Sequence, residues 1–155
     1  MIQVIRISAL LAVLLFFIPP AHAVQYEWYD GKGVAHSLRD FSGKPVILHF
    51  WASWCAPCRK ELPELAVWRA QHPNAPFAAI SLDQNLADAR NYLSQQHLPF
   101  PPLVGNMNSA MQLGVRGLPT TIVIGEDGKI RQRLLGAQSW ENAEFSRKIL
   151  SKVTP

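Results

Sequence analysis

The sequence predicts an α/β fold, a mixed central sheet flanked by helices, and three observations predict it. Val46–Trp51 and Phe77–Leu82 are short, nearly unbroken apolar runs, the pattern of strands buried on both faces. Stretches of helical composition follow each of them, Ala56 to Gln71 and Asn85 to His97. Near the end, Glu126-Asp127-Gly128-Lys129 is a hairpin turn between Thr121–Gly125 and Ile130–Leu135, so at least one strand pairing is antiparallel. Helices set between buried strands, closed by a hairpin and a last helix, make a sandwich around a mixed sheet.

Each element has its own local reason. Gln25 to Tyr29 alternates polar and aromatic residues, Asp30-Gly31-Lys32-Gly33 is a turn, and Val34 to His36 returns, giving an N-terminal β-hairpin. Ser37–Phe41 reads as one helical turn, punctuated by Gly43-Lys44-Pro45. In the helix at 56–71, Leu62, Leu65, Ala66 and Trp68 recur at helical spacing, and Pro63 is expected to kink it. The helix at 85–97 carries Leu86, Ala89, Tyr92 and Leu93 on one stripe. Asn106 or Asn108 caps a short helix through Leu113, ended by Gly114. Ser139, with Glu141 and Asn142 after it, is expected to start a final helix running to about Lys152.

At 155 residues and 48% hydrophobic content, the chain suits one domain with a packed core. Residues 1–23 read as a signal peptide and 24–155 as the domain. Arg6 supplies a positive start, Ile7 to Ile18 is apolar apart from Ser8, Pro19-Pro20 breaks any helix, and Ala21-His22-Ala23 offers a small-x-small cleavage site. Those twelve residues fall short of the about 20 that span a bilayer. The expected mature protein begins at Val24, carries no stable membrane anchor, and works in the periplasm. An uncleaved leader acting as an anchor is the competing reading.

The net charge is +4, and +3 once Arg6 is gone, with basic residues scattered from Lys32 to Lys152. No run of them forms a nucleic-acid patch, so no nucleic-acid partner is expected. No coiled-coil or repeat signal appears, and a monomer is expected.

The chemistry concentrates in Trp51-Ala52-Ser53-Trp54-Cys55-Ala56-Pro57-Cys58, which holds both cysteines of the chain. Two intervening residues bring the sulfurs within one turn of chain, where they can join and part with little backbone movement. Cys55, at the start of the helix, sits at its positive end, where a thiolate is stabilised and its pKa falls below about 8.5. Cys55 is therefore the attacking thiol and Cys58, one turn inside, the resolving one. As a structural staple the pair would close too small a loop to constrain the unfolded chain much. As half a zinc site it lacks a second pair of ligands, and no metal is expected.

Phe50-Trp51-Ala52-Ser53-Trp54-Cys55-Ala56-Pro57-Cys58, followed about sixty residues later by Gly117-Leu118-Pro119-Thr120-Thr121, resembles the thioredoxin superfamily. The N-terminal hairpin, the added helix at 85–97 and Arg59-Lys60-Glu61-Leu62-Pro63 bring it closest to the TlpA/ResA-like periplasmic thiol:disulfide reductases. The resemblance implies a thioredoxin-like fold with that inserted helix, no cofactor, and a cis-proline at Pro119 packed beside the dithiol. Leu118 would then offer its backbone to an extended substrate segment. Trp54 would form a flat apolar wall for docking, unless it is simply a core tryptophan. In the ResA-like proteins a glutamate at the place of Glu61 lies near the cysteines and influences their pKa values. Such a carboxylate raises a thiol pKa by like-charge repulsion and accepts its proton, unless it is only solvated. His49 departs from the pattern, since thioredoxins carry a buried aspartate there. It is either a proton relay beneath Cys58 or a neutral core histidine with its nitrogens satisfied.

The expected function is an extracytoplasmic thiol:disulfide oxidoreductase that reduces client protein disulfides. The resemblance implies a membrane electron donor of the DsbD/CcdA type, and apocytochrome c thiols or copper-site cysteines as clients. A thiol oxidant is the alternative, but Ala56-Pro57 contains no histidine or cation to stabilise the thiolate. A peroxidase is disfavoured by the second cysteine beside the first. A copper-binding or metallochaperone module is the reading from another class. Met107 and Met111, at i,i+4, read as core rather than as its ligands.

Overall fold

The computed structural model describes residues 25–153; the expected leader over 1–23 lies outside the described residues. One seven-stranded sheet runs in the order β2-β1-β5-β4-β3-β6-β7. The hairpin β1 (Glu27–Tyr29) and β2 (Ala35–Ser37) forms one edge, with a single 3₁₀ turn over Leu38–Phe41 after it. Ser37 caps that turn through a capping box with Asp40. The strand β3 (Val46–Trp51) is buried at all six positions. It pairs parallel to β4 (Phe77–Ser81) and antiparallel to β6 (Thr120–Ile124), which makes the sheet mixed.

Two apolar layers flank the sheet because successive β3 side chains point to opposite faces. Val46, Leu48 and Phe50 join Tyr26, Trp28, Leu113 and Ile122 on one side. Ile47 and Trp51 join Cys55, Cys58, Leu62, Leu65, Trp68 and Trp140 on the other. By the same alternation His49 points toward the layer that holds the cysteines.

The helix α1 (Ala56–Gln71) packs on that layer through Cys58, Leu62, Leu65 and Trp68. The helix continues through Pro63, which is exposed. The inserted helix α2 (Leu86–Gln95), capped by Asn85, buries Ala89 and Leu93 and crosses from β4 to the short parallel strand β5 (Val104–Gly105). Asn106 caps α3 (Met107–Gln112), and Gly114 leaves it at a φ of 92°, a conformation that suits glycine. The strands β6 and β7 (Ile130–Leu135) form the closing hairpin.

The last helix, α4 (Ala143–Leu150), differs from expectation at its start. Asn142, not Ser139, is the N-cap, and its Oδ1 accepts from the backbone N–H groups of Glu144 and Phe145, both at 2.9 Å. Residues 138–140 are held elsewhere: the Gln138 and Trp140 backbone N–H groups donate to Glu61 and Glu64 of α1. That tie holds the chain away from α4 and delays the helix. Among the described residues no helix is long and apolar enough to cross a membrane.

Candidate active site

The strand-to-helix turn after β3 places the two cysteines. Cys55 has extended backbone angles and is the N-cap of α1, its backbone N–H donating to Ala52 O at 3.1 Å. The Cys58 N–H donates to Cys55 Sγ at 3.2 Å, so the sulfur takes the place that a serine or aspartate oxygen fills in an ordinary cap. Pro57, in the first turn, lacks only an N–H that would have no helical partner there. Cys55 and Cys58 form a disulfide, with their Cα atoms 5.3 Å apart. The two sulfurs differ in access: Cys55 keeps 5% exposure and lines a surface groove, while Cys58 keeps none.

That groove, about 520 Å³, is also lined by Trp54, Pro57, Met107, Met111 and Leu118. Trp54 is 63% exposed, which removes the core-tryptophan reading. Met107 and Met111 were expected in the core; instead both line the groove, with Met111 46% exposed and only Met107 packed partly against the buried layer. Their spacing was visible in the sequence, but α3 has only six residues, too few for periodicity to say which side faces inward. The Leu118–Pro119 peptide bond is cis, and Pro119 is buried and accepts from the Gly136 N–H at 2.8 Å. Leu118 borders the groove beside Cys55, and Ala56 and Pro57 stand exposed at its rim.

Beneath the dithiol the structure brings together two residues that the sequence presents separately. Glu61 lies one turn beyond Cys58 on the inner side of α1 and is 3% exposed, so it is not a solvated glutamate. Its Oε1 accepts from the Trp140 indole N–H at 2.6 Å and the Gln138 N–H at 2.9 Å. His49 is fully buried, and its Nδ1 lies 3.0 Å from Thr121 Oγ1, its direct register partner on β6. His49 Nε2 and Glu61 Oε2 face each other at 3.7 Å, and neither atom hydrogen-bonds to a described residue. Burial pushes the Glu61 carboxyl up to about 7, against the pull of its Gln138 and Trp140 donors and with a push from nearby Glu64. Burial likewise pushes the His49 imidazole down to about 3. Burial thus disfavours the charged form of each group, so their 3.7 Å separation does not by itself make an ion pair.

Asp83, Gln138 and Trp140 escaped the sequence reading. The buried Asp83 carboxylate accepts from Ser53 N–H at 3.1 and 3.2 Å, from Ser53 Oγ at 2.8 Å and from Ser81 Oγ at 2.6 Å. It thereby pins the residues just ahead of Trp54 and Cys55. The only local signal was an aspartate two residues past the end of a buried strand.

The AhpC/TSA family model matches residues 19–133. A thiol-disulfide oxidoreductase ResA of Bacillus thuringiensis subsp. konkukian is 35% identical over 129 residues, spanning 81% of this chain and 73% of the relative. Among solved structures, a Chlorobium tepidum protein assigned as a thiol:disulfide interchange protein DsbE is 28% identical with a TM-score of 0.70, covering 85% of this chain and 95% of that one. StoA from Bacillus subtilis is 25% identical with a TM-score of 0.60, covering 79% and 95%. The sheet order, flanking helices and dithiol turn are accordingly those of a thioredoxin-like fold.

Proposed function

The chain belongs to the AhpC/TSA family as a ResA-like thiol-disulfide oxidoreductase, and from that premise we propose that it reduces disulfides in client proteins outside the cytoplasm. The observation that carries the mechanism is the unequal access of the two sulfurs, Cys55 opening on the groove and Cys58 sealed. In the reduced protein the Cys55 thiolate, held by the Cys58 N–H and the end of α1, attacks one sulfur of the client disulfide. A mixed disulfide forms and the client's other sulfur leaves as a thiolate. Cys58 then gives its proton to the Glu61 carboxylate and attacks Cys55. The Cys55–Cys58 bond forms, the bond to the client breaks, and the client leaves reduced by two electrons.

Trp54 and Leu118 frame the approach to Cys55, and the cis bond to the buried Pro119 holds Leu118 there, its backbone offered to an extended client segment. The methionines beside them suit varied apolar clients, because thioether side chains adapt their shape. His49 serves as a proton relay with Glu61. An extracytoplasmic site is supported by the leader-like composition of residues 1–23. In an oxidising compartment the pair needs re-reduction, for which a membrane donor of the DsbD/CcdA type is the proposed source. Apocytochrome c thiols or copper-site cysteines are the proposed clients.

The test is trapping. Cys58→Ser should accumulate a mixed disulfide between Cys55 and a model disulfide substrate, while Cys55→Ser should form none and lose turnover. A Cys58→Ser protein that captures no substrate, or a Cys55→Ser protein that still turns over, would overturn the assignment of roles.

A further inference from the structure

We propose that His49 and Glu61 act as one proton-storing pair, in which the imidazole stays neutral and changes tautomer as Glu61 gains or loses its proton. This deepens the reading of Glu61 as acceptor for the Cys58 proton and rests on it. The geometry comes first. Two buried polar atoms, His49 Nε2 and Glu61 Oε2, face each other at 3.7 Å without a hydrogen bond to any described residue. That gap is a few tenths of an ångström beyond a hydrogen bond, and shorter than the about 4.5 Å that a bridging water needs between its partners. The two atoms therefore serve each other, and a small side-chain adjustment closes the contact.

What they exchange follows from their donors and acceptors. An ionised Oε2 only accepts, so it requires Nε2 to carry the ring proton, with Nδ1 accepting from the Thr121 hydroxyl. A protonated Oε2 donates, so it requires a bare Nε2, with Nδ1–H donating to Thr121 Oγ1. A hydroxyl meets both demands by rotating, and Thr121 Oγ1 already sits 3.0 Å from Nδ1. The ring holds one proton in each state, so the pair as a whole takes up one, on Glu61. A phenylalanine or leucine at His49 would offer the carboxyl neither role.

The surroundings favour this over an imidazolium. Trp140 stands edge-on to the His49 ring at 6.0 Å and donates to Glu61 Oε1, and Gln138 donates to the same oxygen. Thr121 comes from β6. On α1 the ionisable groups beside Glu61 are Cys58, which titrates only when reduced, and Glu64, whose Oε2 accepts from the Trp140 N–H at 3.3 Å. Burial disfavours the charged form of both His49 and Glu61.

The experiment is ¹⁵N and ¹³C NMR of the oxidised protein, in which no thiol titrates, followed from pH 5 to 9. As Glu61 takes up its proton, the resonance of the unprotonated ring nitrogen should move from Nδ1 to Nε2, with the same midpoint as the Glu61 carboxyl shift. In Glu61→Gln the tautomer should be one and the same at every pH; if that variant fails to fold, the wild-type correlation alone decides. A single tautomer throughout the Glu61 titration, or an imidazolium signal in its place, would overturn the pairing. A tautomer switch in a protein whose Cys58→Ser form traps nothing would leave the pair standing and remove the reductase reading instead.

Discussion

At Glu61 and His49, burial moves two neighbouring titrations in opposite directions, and the consequence for stability can be worked out with its sign. Glu61 is raised from 4.5 to about 7, so its stabilising contribution is complete below about 4.5 and is lost as the pH rises through 7. His49 is lowered from 6.5 to about 3, so its contribution is present above 6.5 and is lost as the pH falls toward 3. Between about 4.5 and 6.5 the two slopes oppose each other, each at most about 1.4 kcal/mol per pH unit. The wild-type protein should be nearly flat there. Glu61→Gln should uncover the His49 slope, so that urea-derived stability falls as the pH drops from 6.5 to 4.5. A Glu61→Gln profile as flat as the wild type would mean that His49 does not carry the opposing slope.

Among the elements, α4 shows how a long-range contact redraws a helix boundary. Ser139 has the right residue type for a cap, but Gln138 and Trp140 on either side of it are bound to Glu61 and Glu64 of α1. The cap passes to Asn142, which satisfies two first-turn N–H groups at once. Asn142→Ala should therefore cost about 1 kcal/mol of unfolding free energy, and Ser139→Ala less than about 0.5. Urea denaturation of the two variants checks this; the reverse ranking would return the helix start to Ser139. The dithiol turn is supported in the same long-range manner. Asp83 reaches back 30 residues to hold Ser53, so the rigidity of the motif is supplied by the loop after β4.

For the molecule as a whole, the direction of electron flow depends on how far the fold stabilises the reduced thiolate. The helix end and the Cys58 N–H favour it. Ala56-Pro57 adds no cation, and the buried Glu61 disfavours a thiolate beside it whenever it is ionised. The reduction potential of the Cys55–Cys58 pair, equilibrated against glutathione, should therefore lie near or below about −250 mV, close to thioredoxin. A value near about −120 mV would make the protein an oxidant and reverse the proposed flow.

Much of this architecture was legible in the amino-acid sequence. The continuous apolar runs marked β3 and β4, the spacing of Leu62, Leu65 and Trp68 marked the buried face of α1, and Cys55-Ala56-Pro57-Cys58 marked the chemistry. These are near-neighbour properties: strand alternation, helical period and cap chemistry act over a few residues, so a linear reading captures them. Tertiary structure alone decided that Met107 and Met111 line the groove, that Cys58 is sealed while Cys55 is not, and that His49 meets Glu61. His49 is joined to Thr121 across 72 residues and Glu61 to Trp140 across 79, and both contacts follow from sheet register and helix packing. No local pattern encodes a meeting between distant segments, because the free energy that selects it belongs to the packed core as a whole.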